Sequence, residues 1–332
     1  MLARLTRCPD DCRLSSLDPL QIAWAAGFFD GEGSTIAYFP NKKKSRYLRV
    51  QATVPQSGEG EVPEVLHRFR AAMLGMGKIV GPNEYGIYVW KTRGFEETQA
   101  TIALLWRYLG AVKRAQASAA IREVLDGYRS GRLKARPSRR ASNDHVTHAA
   151  TCSESASEDD FDRAWAAGFL DAEGCFGTYH SRPRKGGPDW YRIRVSATQH
   201  GVIGVPAEVL VRLHRALGGL GRIEKHGDPD DFRWLAEGTE AVDQVLARTG
   251  RWLGTVKADQ AQLALRRFRA QVRLQGTATH CVRGHEYSGS SMRGGRLRRI
   301  CRPCDRINAR LRRAAAGILP RQFRNEARRY TF

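Results

Sequence analysis

Two periodicities alternate along this chain, one helical and one strand-like, and their order occurs twice. Asp18-Pro19 predicts a helix start, with Asp as N-cap and Pro at the first helical position. The stretch Trp24 to Gly33 that follows sets bulky apolar residues among small ones, with Gly27 and Gly31 one turn apart. After Gly33 the period changes to two. Residues 34–39 read as a strand and 41–46 as a basic turn. Residues 47–56 form a second strand, with Leu48, Val50, Ala52 and Val54 on one face and Tyr47, Arg49, Gln51 and Thr53 on the other. A helix from Pro63 to about Leu74, a turn through Gly81 and a strand over 84–90 come next. Two further helices are expected at about 95–105 and 112–128.

The pattern then restarts. Trp165 to Gly174 matches Trp24 to Gly33 in Trp, Gly, Asp, Glu and Gly at the same relative positions, and Asp159 holds the place of Asp18. Gln56 finds its match in Gln199, Pro63 in Pro206, and the run ending at Lys113 in the run ending at Lys257. The offsets stay within 141 to 144 residues, a period that means a duplicated domain rather than a solenoid. Residues 129–158 between the copies are rich in Arg, Ser, Ala and Thr without periodicity and read as a linker. The chain therefore divides into an N-terminal extension (1–17), repeat 1 (18–128), the linker, repeat 2 (159–275) and a C-terminal module (276–332). Each repeat is helix–strand–strand–helix–strand–strand–helix, an α+β arrangement.

Small residues one turn apart (Gly27 and Gly31, Gly168 and Ala172) let two helix backbones approach closely. The glycine after each acidic residue is a usual helix stop. If the two helices pack together, Glu32 and Glu173 meet at their ends. Paired carboxylates with no lysine adjacent in sequence suggest a divalent-cation site. Asp30 and Asp171 are expected to be structural.

Charge narrows the class of partner. The 332 residues carry 55 Lys and Arg against 34 Asp and Glu, a net charge of +21, which makes a polyanion the default partner. Residues 261–332 alone hold 18 Arg against three acidic residues, a balance of +15. No apolar run approaches the roughly 18 residues of a membrane span, and the N-terminus lacks an apolar signal core. Seven cysteines, three of them in one metal-like cluster, fit a reducing, cytoplasmic compartment. Cys8 and Cys12 have no partner ligands nearby and read as free thiols.

The duplicated stretch resembles the signature of the LAGLIDADG homing endonucleases, single-chain type, and the similarity extends over nearly all of residues 15–275. Both copies depart from the consensus at the leading residue, Ala25 and Ala166 standing for Leu. The resemblance implies two pseudo-symmetric αββαββα repeats that form a saddle of strands on double-stranded DNA. It implies a monomer that cuts both strands of a long asymmetric target in a Mg²⁺-dependent hydrolysis. Glu32 and Glu173 would bind the catalytic metal, with the carbonyls of Gly31 and Ala172 as secondary ligands. Gln56 and Gln199 would orient water. Lys113 and Lys257 would stabilise charge developing on the phosphate. Base contacts are expected from Tyr47, Arg49, Gln51 and Thr53 in one half and from Arg192, Arg194 and Ser196 in the other, since Arg suits guanine, Gln adenine and Thr the thymine methyl. Further DNA contacts are expected from Arg46, Lys78, Arg182, Arg184, Lys185 and Arg222. An RNA-binding intron maturase and a catalytically inactive DNA-binding regulator are the alternatives. The ends of the chain lack the Cys and His-Asn that intein splicing needs, so it reads as free-standing.

The C-terminal module carries Cys281-x3-His285 and Cys301-x2-Cys304, four soft ligands in two short pairs that predict a structural Zn²⁺. It resembles the treble-clef fingers appended to phage and mobile-element proteins. Its arginines (Arg296, Arg298, Arg299, Arg302, Arg306, Arg310, Arg312, Arg313) suggest auxiliary DNA binding.

Overall fold

The computed structural model describes residues 18–40, 47–130, 156–181, 190–277, 280–281, 283–293 and 296–316. The expected DNA contacts Arg46, Arg182, Arg184 and Lys185 lie outside the described residues, as do Cys8, Cys12 and most of the linker. The described residues divide into two compact units, one within Met1–Thr178 and Arg192–Leu265, the other within Tyr179–Tyr191 and Arg266–Phe332.

The first unit holds repeat 1 and most of repeat 2. Repeat 1 runs α1 (Pro19–Glu32), β1 (Ser34–Tyr38), β2 (Arg49–Ser57), α2 (Glu64–Ala72), β3 (Lys78–Val80), β4 (Ile87–Lys91), α3 (Phe95–Leu105) and α4 (Ala111–Arg129). Repeat 2 runs α5 (Glu158–Glu173), β5 (Cys175–Ser181), β6 (Trp190–His200), α6 (Glu208–Ala216), β7 (Arg222–Lys225), β8 (Asp231–Glu237), α7 (Thr239–Thr249) and α8 (Thr255–Thr277). Each repeat builds one four-stranded sheet, in the orders β1-β2-β4-β3 and β5-β6-β8-β7. The two orders are the same topology read 143 or so residues apart, as the repeat requires. The fold class is α+β, as expected.

Local chemistry explains the elements. Asp18 caps α1 by accepting from the Leu20 amide, with Pro19 at the first helical position. In the second copy the cap is not Asp159 but Ser157, in a capping box with Asp160, so Asp159 lies within the first turn. The helix starts two residues earlier than the repeat offset predicts, because Ser157 and Asp160 each bond the other's backbone amide, and the three acids of the first turn (Glu158, Asp159, Asp160) suit the positive helix end. The glycines that end both helices are not left-handed stops. Gly33 and Gly174 are extended, with φ of −72° and −68°. A side chain at Gly33 would sit 2.3 Å from the Phe29 ring, so that glycine is required by crowding.

The centre of the unit is the α1–α5 pair. Every residue from Ile22 to Asp30 is buried, and so is every residue from Ala164 to Asp171. A helix apolar all round must be covered all round, and here each helix is covered by the other and by its own sheet. A Cβ at Gly27 would lie 1.9 Å from the Trp165 carbonyl oxygen, and one at Gly168 would lie 1.9 Å from that of Trp24. The backbones are therefore in direct contact, and only glycine permits it. Leu48, just before β2, and Val50, Ala52 and Val54 within it face inward as their alternation predicts, and α4 closes over Leu48 and Val50 through Ala120 and Val124.

The second unit contains a hairpin, β9 (Gly289–Arg293) with β10 (Arg296–Ile300), and the helix α9 (Arg302–Ala315). The expected module start at residue 276 falls inside α8, which ends at Thr277. Among the described residues no helix is long and apolar enough to cross a membrane.

Candidate active site

Close packing of α1 and α5 brings their last residues together. A Cβ at Gly31 would lie 2.5 Å from the Ala172 Cβ and 3.7 Å from the Glu173 carboxylate oxygen. Glu32 and Glu173 therefore share one small volume where the helices end. Burial raises the pKa of both carboxyls, and the charge of Glu173 raises that of Glu32 further. Two acids held above their ordinary range by burial, one of them also by the charge of the other, form a site that a cation stabilises.

Each glutamate is bonded by a glutamine of its own repeat, and a lysine of that repeat is held at the carbonyl of the next residue. The Gln56 side chain donates to Glu32 at 3.1 Å, and Gln199 hydrogen-bonds Glu173. Both glutamines sit at the end of the second strand of their repeat. Lys113 Nζ donates to the Gly33 carbonyl and Lys257 Nζ to the Gly174 carbonyl, each at 2.5 Å. Burial lowers the Lys113 pKa, while Asp30, Glu173 and Glu32 oppose that shift. A cleft of about 460 Å³ opens beside this centre, lined among others by Gln56, Glu64, Asp171, Ala172 and Lys257.

Beneath the glutamates lies a layer that is only partly legible in the sequence. Asp30 is 2 % exposed and accepts from the Gly110 amide at the N-terminus of α4 and from Trp165 Nε1 at 2.8 Å. Asp171 repeats this with the Gly254 amide at the N-terminus of α8 and with Trp24 Nε1 at 2.8 Å. Each aspartate thus ties the lysine-bearing helix of its own repeat to the tryptophan of the other. The structural role expected for both is what the hydrogen bonds show. Burial raises both carboxyls to about 6, against the lowering effect of those hydrogen bonds. Two arginines complete the layer. Arg68 stacks on Trp24 with its guanidinium carbon 3.8 Å from the ring centre, 3.7 Å from Asp171, and donates to the Trp252 carbonyl at 2.7 Å. Arg212 stacks on Trp165 at 4.0 Å, lies 3.6 Å from Asp30 and donates to the Tyr108 carbonyl. Sequence reasoning passed over both arginines. The signal was available, because they stand 144 residues apart like the rest of the repeat.

The outer sheet faces place the expected nucleic-acid contacts unevenly. Tyr47 and Arg49 are exposed, and Gln51 and Thr53 are half-buried on the same face. The Gln51 amide already donates to the Thr92 carbonyl at 2.9 Å. Lys91 pairs across the strands with both Thr53 and Lys78, which adds a cation to this sheet. In repeat 2, Arg192 is exposed and Arg194 half-buried. Ser196, expected to contact a base, is covered. It is only 8 % exposed, because its cross-strand partner Leu235 lies in a part of β8 where three successive residues are buried and the alternation stops. Arg222 holds its expected place at the start of β7 but is engaged by Glu224 and Glu237, both at 3.0 Å.

In the second unit, Cys281 Sγ lies 3.6 Å from His285 Nδ1 and 3.6 Å from Cys304 Sγ, and His285 Nδ1 lies 3.3 Å from Cys304 Sγ. Cys301 joins the same group, all four ligand atoms lying within 4.8 Å of one another. Ligands about 2.3 Å from a tetrahedral metal stand roughly 3.8 Å apart, so the four donors fit Zn²⁺.

No protein-family model matches the chain, and no curated protein matches it in sequence. Solved structures do match in fold. The LAGLIDADG homing endonuclease I-GzeII in complex with its DNA target is 16 % identical, with a TM-score of 0.53 over 80 % of this chain and 94 % of that one. I-SmaMI bound to cleaved DNA is 17 % identical, with a TM-score of 0.54 over 79 % and 92 %. I-LtrWI bound to target DNA is 13 % identical, with a TM-score of 0.55 over 80 % and 95 %. At these identities the likeness is one of fold, and the chain has the two-repeat fold of the LAGLIDADG homing endonucleases.

Proposed function

We propose that this protein is a site-specific double-strand DNA endonuclease that hydrolyses phosphodiester bonds with a divalent metal. The observation that carries the reading is the convergence of Glu32 and Glu173, each with its own glutamine and lysine, at the meeting point of two pseudo-symmetric helices. Duplex DNA presents two antiparallel backbones related by a twofold axis. A paired site of this kind matches that geometry, with one set of groups for each strand. The similar structures hold DNA, and the net charge of +21 suits the same partner.

In this reading Glu32 and Glu173 hold Mg²⁺, with the carbonyls of Gly31 and Ala172 beside them, because an all-oxygen donor set next to phosphate favours that ion. When bound, the metal polarises the scissile phosphates and lowers the pKa of the attacking water. Gln56 and Gln199 keep the glutamates oriented and offer a second amide hydrogen to water. Lys113 and Lys257 place positive charge where the phosphate gains negative charge. Asp30 and Asp171 fix the helices that carry those lysines. One chain acts as a monomer, with repeats at about 18–128 and 159–275 and Zn²⁺ holding the C-terminal module that follows α8.

The test is cleavage of a duplex library by the purified chain in Mg²⁺ and in Ca²⁺, with Glu32→Gln alongside. Double-strand cutting at one long asymmetric site in Mg²⁺, lost in Glu32→Gln while binding is kept, is the expected result. Normal cutting by Glu32→Gln overturns the metal assignment. Tight DNA binding without cutting in either metal points to a regulator, and preference for structured RNA points to a maturase. Metal analysis of the same preparation should give one zinc per chain, lost in Cys301→Ser.

A further inference from the structure

The helix α9 follows directly from the buried Cys301, and Cys304 sits in its first turn, so the metal-ligand cluster fixes the helix at its start. Arg302, Arg306, Arg310 and Arg313 are spaced by four, four and three residues. That spacing draws one stripe along one face of the helix, about 16 Å long at a rise of ~1.5 Å per residue. All four are exposed, and among the described residues none of their guanidiniums has an ion pair or hydrogen-bond partner. Arg312, off the stripe, donates instead to the Asn308 carbonyl. Asp305 is the helix's one acidic residue. Like charges at this spacing repel and weaken the helix that carries them. A row of four unneutralised cations on a fixed helix is therefore an arrangement that a polyanion relieves.

We propose that this arginine face of α9 is a second duplex-DNA contact surface, separate from the site at Glu32 and Glu173 and adding phosphate contacts on one flank of the target. The inference rests on the DNA-directed reading above. A helix ~10–12 Å across fits a major groove ~12 Å wide, where one stripe of four arginines along 16 Å meets the phosphates of one wall. The large apolar residues exposed on α9 are two, Ile307 and Leu311, too few for the broad apolar face with which a helix lies in a lipid interface. The flank is single because the chain has one such module for two repeats.

The experiment compares the full chain with two variants, Arg302→Gln/Arg306→Gln/Arg310→Gln/Arg313→Gln and the same four positions changed to Lys. Affinity for the cleaved duplex, or for a random duplex if none has been found, is measured against salt, with footprinting and zinc analysis of each protein. The Gln variant should keep its zinc and its cleavage at saturating protein. Its slope of log K on log salt should shrink by about 3 to 4, at ~0.9 per phosphate contact. Protection should be lost on one flank only. The Lys variant should keep the slope, since a point charge serves a phosphate. An unchanged slope in the zinc-loaded Gln variant overturns the proposal. So does loss of binding to phosphatidylserine vesicles with DNA binding intact. Wild-type protein that binds DNA without cutting it sinks only the nuclease reading, and wild-type protein that binds no DNA sinks both.

Discussion

A methyl group at position 27 has nowhere to go, because the Trp165 carbonyl oxygen would be 1.9 Å away and belongs to a backbone that cannot turn aside. Gly27→Ala must therefore push α1 and α5 apart along their whole contact. We expect a cost above about 3 kcal/mol, beyond the usual range for overpacking, and the denaturant midpoint measures it; a wild-type midpoint would show that the helices are not in contact. Asp30 gives a second residue-scale prediction, this time with a pH signature. Its carboxyl titrates near 3.8 in the unfolded chain and at about 6 in the fold, raised by burial. Between those values the folded state holds the extra proton. The group's contribution is complete below about pH 4 and is lost as pH rises through 6, up to ~3 kcal/mol. Asparagine mimics the protonated form at every pH. Asp30→Asn should thus be less destabilising at pH 7.5 than at pH 4.5, and a gap that does not change with pH would refute the burial of an ionisable group here.

At the scale of elements, what joins the two repeats is the exchange of tryptophans and arginines between them. Trp24 of α1 donates to Asp171 of α5, and Arg68 of α2 reaches across to the Trp252 carbonyl. The mirror contacts run from Trp165 and Arg212. Truncating one cation leaves a nearly buried carboxylate without its counter-charge, a change that costs on the order of 3–5 kcal/mol. Arg68→Met should show that loss in chemical denaturation. Adding Asp171→Asn should recover part of it, because the double variant has no stranded charge. Strict additivity of the two changes would mean that the pair at 3.7 Å is not coupled. Only repetition made this layer legible along the chain. An arginine inside an amphipathic helix reads as surface, and nothing local to Arg68 says that it stacks on a tryptophan from another element.

For the whole molecule, the two halves share a topology and differ in what they expose. Repeat 1 offers Arg49, Gln51, Thr53 and Lys91 on its sheet, while in repeat 2 Ser196 is covered and Arg222 is engaged by two glutamates. Unlike faces on one chain suit an asymmetric duplex, whereas a symmetric dimer would suit a palindrome. Sedimentation of the complex should accordingly give one chain per duplex. Two chains per duplex would overturn the single-chain reading and return the second half-site to another copy.

The sequence by itself determined the duplication, the order of strands and helices in each half, the inward face of the second strand, the meeting of glutamates at two helix ends and the grouping of three cysteines with a histidine in the C-terminal module. All of these rest on period and spacing, which are local properties of a chain. Only the tertiary structure decided that Gly33 and Gly174 end their helices in extended conformation. It also decided that Ser157 rather than Asp159 caps α5, that Ser196 is covered, and that Arg68 and Arg212 sit on buried tryptophans over Asp171 and Asp30. Each of these depends on which atoms arrive from elsewhere in the chain. Whether a polar side chain is exposed, paired or covered is a property of that company and not of the residue.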